Sequence, residues 1–475
     1  MASSSQASSS KAALAWEQDP RGYPERTFPT RILRVESSSI SFKGEGREPY
    51  QRADHYLEKG SESESSIAAA SRALSSSHLV AFPTETVYGL GASAMDPDAA
   101  LKIFRAKGRP VDNPLIVHIS DMQMLRKLVA DDYQPGPVYT ALMESFWPGA
   151  MTLLFPADEV KVPSVVRCGL KTVGIRMPSH PVARALIAAS GLPLAAPSAN
   201  ASGRPSPTTA MHVYSDMTTK KGEEVEGRIP YIIDGGPCLV GVESTVLDGV
   251  TDGKELSVLR PGGVGVEDIE KVLRERNLLG GEQGSSLNAV QLRVYGKDLK
   301  RDAKEEEHPT TPGMKYRHYS PDADVVLLVG DKGRASTEAI FGQQDRPSLP
   351  LREAISSHIA QHPRVDEGVL QVGIMSMDDS PLTRTLFPQE GAANGHSNGH
   401  TYDLRRFSLG SLQTPEQAAQ RLFEGLRTLD EEDAIDGSRR CDVIFVEALS
   451  DDAGVGLAIM NRLQKAAGSV IHVHY

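Results

Sequence analysis

Two cations and an amide lie close together in the first half of this 475-residue sequence. Lys107 and Arg109 come where a predicted helix ends, and Asn113 follows. Arginine presents a planar fork that matches phosphate oxygens, and lysine adds a point charge. A helix C-terminus also favours cations that are only solvated, and for this pair alone that interpretation is favoured by about two to one. Further residues are therefore needed before the pair indicates a phosphate site.

A second group of polar residues supplies that support. The turn Pro83–Gly91 follows the apolar stretch His78–Phe82 and is rich in hydroxyls and in glycines, which let a backbone approach a ligand closely. Far downstream, Ser198 and Asn200 follow another predicted strand. Together with the cations, these residues predict a site for a phosphorylated ligand and a small polar substrate. The alternatives are that Ser198 and Asn200 form a capping turn and that Thr86 is a turn hydroxyl.

The order of these motifs resembles the YrdC-like family of threonylcarbamoyl-AMP synthases, in its long, two-domain form. Beyond the segments already named, the resemblance rests on Trp147-Pro148-Gly149, Gly174 to Pro178, Glu243 to Val246, Leu259 to Gly262 and Pro312 to Pro321. The last segment, with the domain behind it, marks the long form. The resemblance extends from about residue 60 to residue 475. No single motif is decisive, but this many in one order are specific.

The resemblance implies an adenylyltransferase that forms L-threonylcarbamoyladenylate and pyrophosphate from L-threonine, bicarbonate and ATP. The threonine amine and bicarbonate would form a carbamate, whose oxygen attacks the α-phosphorus. Since no enzyme nucleophile is needed, catalysis would rest on positioning and charge neutralisation. Mg²⁺ is expected on the ATP phosphates, held mainly by substrate oxygens and water. The product would pass to a separate transferase complex for threonylcarbamoyladenosine modification of tRNA next to the anticodon.

The resemblance also implies roles for individual residues. The predicted catalytic residues are Lys107 and Arg109, which would also bind ATP. The other residues expected to bind ATP are Asn113, Ser198, Asn200, Thr208, Arg260, His318 and Tyr319. The residues expected to bind L-threonine are Thr86, His118, Arg176, Ser198 and Ser244. No side chain is predicted to bind a metal, Arg176 could equally form a structural ion pair, and His118 could be a core histidine.

The pattern of apolar segments predicts an α/β protein with two domains. Residues 61–278 are expected to form a YrdC-like twisted mixed sheet with helices. Residues 323–475 contain apolar runs suited to buried parallel strands, and they predict a smaller, Rossmann-like, doubly wound parallel sheet. Residues 1–60 are predicted to be a mostly disordered tail with a short strand near Thr30–Val35.

The region between the domains, residues 279–322, begins with a stretch rich in glycine, serine and charge, which is typical of an exposed linker. Within it, residues 312–321 contain aromatic side chains that a simple tether does not need. We expect this segment to close over the first domain as an active-site lid and to bring His318 or Tyr319 to the nucleotide.

Composition limits the other possibilities. The chain has 51 Lys and Arg against 62 Asp and Glu, a net charge of -11, so bulk nucleic-acid binding is disfavoured although weak RNA binding in a local groove stays open. Three scattered cysteines predict neither a disulfide framework nor a zinc site and indicate a reducing compartment. No apolar run approaches the roughly 20 residues of a membrane span. We expect a cytoplasmic protein that does not contact a membrane, and the Ser/Ala-rich start leaves an additional mitochondrial pool open.

Three other functions are alternatives to the synthase. A non-catalytic double-stranded RNA- or nucleotide-binding module is disfavoured by the net charge. A carbamoyltransferase of the hydrogenase-maturation type is expected to carry cysteine-rich zinc fingers, which three scattered cysteines cannot form. A regulatory ligand sensor, with the last domain as its output, is not excluded by any residue.

Overall fold

The chain forms two successive α/β units. The computed structural model describes residues 28–44, 48–221, 224–251, 253–280, 289–295, 318–330, 348–363, 369–388, 395–397, 400–431, 439–450 and 454–475. Within these ranges, none of the helices has both the length and the apolar character that a membrane crossing requires.

The strands and helices have the following bounds. The strands are β1 (Arg31–Arg34), β2 (Ser41–Phe42), β3 (His55–Tyr56), β4 (Val80–Phe82), β5 (Gly89–Ser93), β6 (Val117–His118), β7 (Met151–Pro156), β8 (Thr172–Arg176), β9 (Leu194–Ala195), β10 (Thr218–Lys221), β11 (Glu224–Gly227), β12 (Tyr231–Asp234), β13 (Thr245–Asp248), β14 (Glu255–Arg260), β15 (Gln291–Val294), β16 (Asp324–Val329), β17 (Leu349–Pro350), β18 (Leu370–Ser376), β19 (Gly395–Ser397), β20 (His400–Ser408), β21 (Val443–Glu447) and β22 (Ser469–His474). The helices are α1 (Glu48–Gln51), α2 (Glu62–Ser75), α3 (Pro97–Lys107), α4 (Met122–Leu125), α5 (Pro137–Phe146), α6 (Ser164–Arg167), α7 (Pro181–Ser190), α8 (Ala210–Met217), α9 (Val266–Glu275), α10 (Leu351–Ala360), α11 (Pro381–Leu386), α12 (Pro415–Asp430) and α13 (Gly456–Ala466).

The first unit is built on a mixed sheet of eleven strands. Their order across the sheet is β1-β12-β4-β5-β9-β6-β8-β7-β13-β14-β15. Parallel pairs such as β6 with β8 stand beside antiparallel pairs such as β4 with β5. This arrangement confirms the predicted mixed sheet with helices.

The second unit has a sheet of seven strands in the order β17-β22-β16-β21-β18-β20-β19, parallel except for the pair β19–β20. Successive residues of β16 belong to different cores: Val325 and Leu327 pack with α12 and α13, whereas Val326 and Leu328 pack with α10 and α11. Because side chains of a strand alternate between faces, both faces of this sheet are covered. The smaller, doubly wound parallel sheet is confirmed.

The first unit begins earlier than the predicted boundary at residue 61. Strand β1 pairs in parallel with β12, and Val35, Ile40 and Tyr50 are buried in the core of this unit. The strand predicted near Thr30–Val35 is present as Arg31–Arg34, but residues 28–60 as described are part of the domain rather than a tail. This stretch is mostly polar, and its few buried apolar residues are too widely spaced to form a recognisable pattern. Residues 1–27 lie outside the described residues.

The predicted linker also contributes a strand. Residues 291–294 form β15, which extends the first sheet in parallel with β14, so part of residues 279–322 is structural. A four-residue strand among charged and glycine-rich neighbours has too little periodicity to be recognised. Residues 296–317 lie outside the described residues, so the predicted lid is described only from His318 onward.

Helix α3 ends in a way that positions the predicted cations. The Asp96 carboxylate caps the helix by accepting from the backbone N–H groups of Asp98 and Ala99. At the other end, Gly108 adopts a left-handed conformation with φ 63°, which glycine enters without a Cβ penalty. The chain therefore turns sharply between Lys107 and Arg109, and both side chains are buried.

Candidate active site

A cavity lies in the first unit where β5, β6 and β8 meet the segments that follow β9 and precede β16. Nine predicted residues line it: Thr86, Arg109, His118, Arg176, Ser198, Ser244, Arg260, His318 and Tyr319. The lining residues that sequence reasoning gave no role are Thr84, Val87, Gly89, Ile116, Ala196, Pro197 and Glu243. The predicted residues outside this lining are Lys107, Asn113, Asn200 and Thr208.

The turn between β4 and β5 is held by the hydroxyl of Thr84. This hydroxyl donates to the Val87 carbonyl oxygen at 2.6 Å and accepts from the backbone N–H groups of Thr86 and Val87. It also lies 2.8 Å from the Thr86 hydroxyl. A side chain that satisfies its own turn in this way fixes local geometry. The Thr86 hydroxyl is thereby held in the cavity wall.

Arg176, at the end of β8, forms the structural ion pair that the sequence left open, and it also lines the cavity. Its Nη2 donates to Glu85 Oε1 at 2.6 Å, Nη1 donates to the Thr86 hydroxyl at 2.8 Å, and Nε donates to the Gly149 carbonyl at 3.1 Å. Both members of the ion pair are buried. Removal of either would leave an uncompensated buried charge, so the pair fixes one wall of the cavity.

Arg109 lines the cavity and is anchored by backbone oxygens. Its guanidinium donates to the carbonyls of Asn113 and Pro114 at 3.1 Å each. Burial lowers the pKa of Arg109 to about 10, so the group is cationic at neutral pH. The side-chain Oδ1 of Asn113 is buried without a hydrogen-bond partner among the described residues. Asn113 therefore holds Arg109 through its backbone and has an unused acceptor beside it.

Lys107 contacts the loop after β9 rather than the cavity. Its Nζ donates to the backbone oxygens of Ser198 and Asn200 at 2.5 and 2.6 Å. Burial, followed by the charge of Arg109, holds the pKa of Lys107 well below its usual value. Asn200 in turn accepts from the Ser198 hydroxyl at 2.5 Å and donates to the carbonyls of Ala201 and Arg204. Hydrogen bonds within the loop therefore fix its conformation, and Ser198 lines the cavity.

Thr208 lies away from the cavity lining. Its hydroxyl is 3.3 Å from Nδ1 of His212, and its carbonyl accepts from the backbone N–H of Cys238. The side chain of Thr208 therefore has a partner on α8, and its backbone carbonyl has one in Cys238. Nothing in this geometry directs Thr208 to a ligand.

Arg260 adds a second buried cation to the cavity and is held in place by Ser244. The Arg260 guanidinium donates to the Ser244 carbonyl at 2.8 Å and to the Ser244 hydroxyl at 3.1 Å. The same hydroxyl lies 2.7 Å from the hydroxyl of Thr152. Burial lowers the pKa of Arg260 to about 10, which leaves it charged at neutral pH.

Glu243 brings a carboxylate to the cavity, and the second unit contacts it. Oε1 accepts from the Ser206 hydroxyl at 2.6 Å, and Oε2 accepts from Nε of Arg462 on α13 at 3.0 Å. Burial alone would raise the pKa of Glu243, but the charges of Arg462 and Arg260 outweigh burial and lower it to about 2. Glu243 is therefore ionised at every physiological pH.

Three aromatic or imidazole side chains complete the lining. Burial lowers the pKa values of His118 and His318 to about 3, so both rings are neutral, and Nδ1 of each is buried without a partner among the described residues. Burial, followed by the Glu243 charge, raises the pKa of Tyr319 to about 12. The rings of His318 and Tyr319 lie 4.2 Å apart. His318 and Tyr319, near the end of the predicted lid segment, therefore contribute neutral polar groups to the cavity.

Gly262 packs directly against the backbone of the cavity residues Glu243 and Ser244 and leaves no room for a side chain. A Cβ there would lie 2.3 Å from the Glu243 carbonyl oxygen and 2.4 Å from the Ser244 carbonyl carbon. Gly262→Ala should therefore destabilise the fold by about 1–3 kcal/mol through overpacking, and it should lower activity because it displaces Glu243 and Ser244. Thermal unfolding measures the first effect. Gly136→Ala is the matched control, since no atom lies within 4 Å of a Cβ there. Equal stability of both variants would contradict the expected overpacking.

Comparison with known proteins places this geometry in a family. Two family models match the chain, one described as "Telomere recombination" over residues 72–262 and one as "Threonylcarbamoyl-AMP synthase, C-terminal domain" over residues 264–468. A threonylcarbamoyl-AMP synthase from Bacillus subtilis is 40% identical over 403 residues, which cover 85% of this chain and 93% of that protein. The chain belongs to the threonylcarbamoyl-AMP synthase family. The match spans both units, so the two-domain form of the family is present here.

Other members of the threonylcarbamoyl-AMP synthase family agree. The Schizosaccharomyces pombe protein of this name is 36% identical over 467 residues, covering 93% of this chain and 98% of its own length. A crystal structure of Pyrococcus abyssi Sua5 complexed with L-threonine is similar with a TM-score of 0.64 and 35% identity, and it covers 94% of this chain and 100% of that chain. This likeness extends over both α/β units, so the family assignment does not rest on one domain.

Proposed function

We infer that this chain is a threonylcarbamoyl-AMP synthase that joins L-threonine, bicarbonate and ATP into L-threonylcarbamoyladenylate with release of pyrophosphate. The observation that carries this function is the cavity in which Arg109, Arg176 and Arg260 converge with the hydroxyls of Thr86 and Ser244, in a chain of this family. Anionic substrates require such cations, and a small amino acid requires such hydrogen-bonding groups.

The chemistry needs no covalent intermediate with the protein. The threonine amine attacks the carbon of bicarbonate, water leaves, and a carbamate results. A carbamate oxygen then forms a bond to the α-phosphorus while the bond to the β-phosphate oxygen breaks and pyrophosphate leaves. The protein has to hold carbamate and ATP in line and neutralise the charge that develops on the phosphates.

We assign the phosphates to Arg109 and Arg260, which remain cationic at neutral pH despite burial. Arg176, together with the Thr86 and Ser244 hydroxyls, is assigned to the threonine carboxylate and its neighbours. Lys107 is assigned to positioning, because its contacts hold the loop that presents Ser198.

The residues that line the cavity do not supply a magnesium cage. Among the described lining residues Glu243 is the only carboxylate, and Arg462 and Ser206 already contact both of its oxygens. No group of three or more His, Cys, Asp or Glu side chains suited to a metal is present in the described part of the chain. Mg²⁺ would therefore arrive with ATP, bound by phosphate oxygens and water.

The proposed function has a direct biochemical test. Purified protein with ATP and Mg²⁺ should release pyrophosphate only when both L-threonine and bicarbonate are present. Omission of either substrate is the internal control. Absence of threonine-dependent pyrophosphate release from folded protein that binds ATP would contradict the synthase and favour a nucleotide-binding module or a ligand sensor.

The proposed function also implies a recipient for the product. A mixed anhydride of a carbamate and AMP is a reactive acyl donor, so a separate transferase complex that modifies tRNA is the expected recipient. The overall net charge of -11 agrees with an enzyme that makes a small activated intermediate and does not itself retain tRNA. Cytoplasmic location remains part of this proposal.

A further inference from the structure

Arg462 joins the second unit to the cavity of the first. It lies on α13, and its side chain is fully buried. Its Nε donates to Glu243 Oε2 at 3.0 Å across a sequence separation of 219 residues, and its Nη1 donates to the carbonyls of Pro261 and Ala458. Glu243 lines the cavity, and Pro261 directly follows the cavity residue Arg260.

The same guanidinium also supports the segment between the units. Its central carbon lies 6.0 Å from the centre of the Tyr319 ring, within the range of a cation–π contact. Tyr319 also packs against Phe423 of α12, with ring centroids 5.2 Å apart. Arg462 therefore contacts one cavity residue from the first unit and one from the segment that leads into the second.

The charge of Glu243 explains why this contact matters. A buried carboxylate in the wall of a cavity for polyanions repels phosphate unless a cation compensates it. Five ionisable groups act on this carboxylate: Arg462 from α13, Arg260 from the end of β14, Lys107 from the end of α3, and His318 and Tyr319 from the segment before β16. Arg462 and then Arg260 are the charges that most strongly favour the ionised carboxylate, and His318 and Tyr319 are neutral at pH 7, so compensation depends mainly on the two arginines.

We propose that Arg462 is a positioning residue of the active site, through which the docked second unit orients Glu243 and cancels its charge so that the cavity accepts ATP. The proposal rests on the proposed function for its readout. It gives the second unit a specific role in the reaction without placing any of its side chains on the reacting atoms. Undocking of this unit would remove the ion-pair partner of Glu243 and leave Arg260 as the remaining arginine that offsets its charge beside the phosphate site.

Two substitutions test the proposal. Arg462→Met removes the cation and leaves Glu243 in place, and we expect it to raise the KM for ATP by about tenfold or more, because an unpaired buried charge is left behind. Adding Glu243→Gln to Arg462→Met removes that charge. The KM for ATP of the double variant should therefore be at least about fivefold lower than that of Arg462→Met. A purely structural role for Arg462 predicts no such rescue.

The pH dependence supplies a second readout. Arg462→Met removes the charge that most strongly lowers the pKa of Glu243 while burial still raises it, so the pKa should rise from about 2 and protonation at acidic pH should relieve the repulsion. The KM of Arg462→Met relative to that of the double variant should therefore fall as the pH is lowered toward the acidic end of the range in which the protein stays folded. The double variant corrects for protonation of ATP itself.

A matched control also crosses the two units but avoids the cavity. The exposed Glu267 accepts from the backbone N–H of Gly454 at 3.1 Å, and Glu267→Ala should leave the KM for ATP unchanged. Arg462→Lys keeps the charge and should fall between the unsubstituted protein and Arg462→Met. If Arg462→Met does not fold, Arg462→Gln, which also removes the cation, carries the test, and a KM for ATP equal to that of the unsubstituted protein overturns the proposal.

The outcomes separate this proposal from the proposed function. Absence of threonine-dependent pyrophosphate release in the unsubstituted protein rejects the function itself. An active unsubstituted protein whose Arg462→Met variant is not rescued by Glu243→Gln rejects only the role of Arg462. Rescue of ATP affinity in the double variant, with Glu267→Ala unchanged, is the result that we expect.

Discussion

Replacement of Arg109 by alanine is expected to lower kcat/KM for threonine-dependent pyrophosphate release by about 10²- to 10³-fold, the size typical of removing one preorganised donor of a charge-stabilising site. Its guanidinium is buried, cationic at neutral pH and fixed by the carbonyls of Asn113 and Pro114. The cation is therefore already oriented toward the cavity before ATP binds. Steady-state kinetics with ATP as the varied substrate measure the effect.

The control for this variant lies on the same helix end. Arg105 is exposed in the last turn of α3, and Arg105→Ala should change kcat/KM by less than about twofold, as expected for a surface charge. Arg109→Lys should recover little activity, since lysine lacks the planar fork. Full activity of a folded Arg109→Ala protein would remove Arg109 from the phosphate site.

The second large effect is expected on stability, at the ion pair between Arg427 on α12 and Asp216 on α8. Nη2 of Arg427 donates to Asp216 Oδ2 at 2.7 Å and to the Pro205 carbonyl at 2.5 Å, and neither member of the pair is more than 1% exposed. Arg427→Met leaves a buried carboxylate without this partner, and the expected cost is about 3 kcal/mol or more. Arg204 also contacts Asp216, at 3.0 Å, which keeps the cost near that lower value.

Urea denaturation of the full chain measures this cost. Arg274→Ala, which breaks an exposed pair with Glu270 on one helix, should change the free energy of unfolding by at most about 0.5 kcal/mol. Since Asp216 also accepts from the backbone N–H of Ala201 at 3.1 Å, its reorganisation should disturb the loop that carries Ser198 as well. Equal midpoints for Arg427→Met and Arg274→Ala would contradict a stabilising role for the interdomain pair.

The sequence allowed much of the fold to be predicted where patterns were strong. The apolar runs predicted within residues 323–475 form the buried parallel strands β16, β18 and β21, because continuous apolar runs bounded by polar turns have few alternatives. Two short strands in polar surroundings were harder to predict. Strand β1 was predicted, but as part of a tail and not of the first sheet, and β15 was not predicted. Their pairing is determined by long-range neighbours, which a local pattern does not contain.

The site was predictable as a set of residue types but not as a set of orientations. Arg109 and Arg176 line the cavity, whereas Lys107, two residues before Arg109, donates to the loop after β9. Which way a buried side chain points depends on carbonyl groups that only the folded chain brings near it. Glu243 directly precedes Ser244 in the motif Glu243 to Val246. A carboxylate in that motif could have indicated a site residue, but the sequence analysis predicted no role for it.

Contacts between the two units could not be derived from the sequence. Arg462 and Glu243 are 219 residues apart, and each belongs to a locally unremarkable helix or turn. An arginine on an amphipathic helix is by default a solvated charge, and only the packing of α13 against the first unit buries it. Residues 312–321, the predicted lid, show the opposite case, because their aromatic side chains predicted packing against another part of the protein, and His318 and Tyr319 line the cavity.

The most direct test of the account is to identify the reaction product by mass spectrometry after incubation of the full chain with ATP, Mg²⁺, L-threonine and carbon-13-labelled bicarbonate. The account predicts a labelled threonylcarbamoyladenylate, formed in equal amount with pyrophosphate and absent when threonine is omitted. Folded protein that binds ATP but yields no labelled adenylate would contradict it.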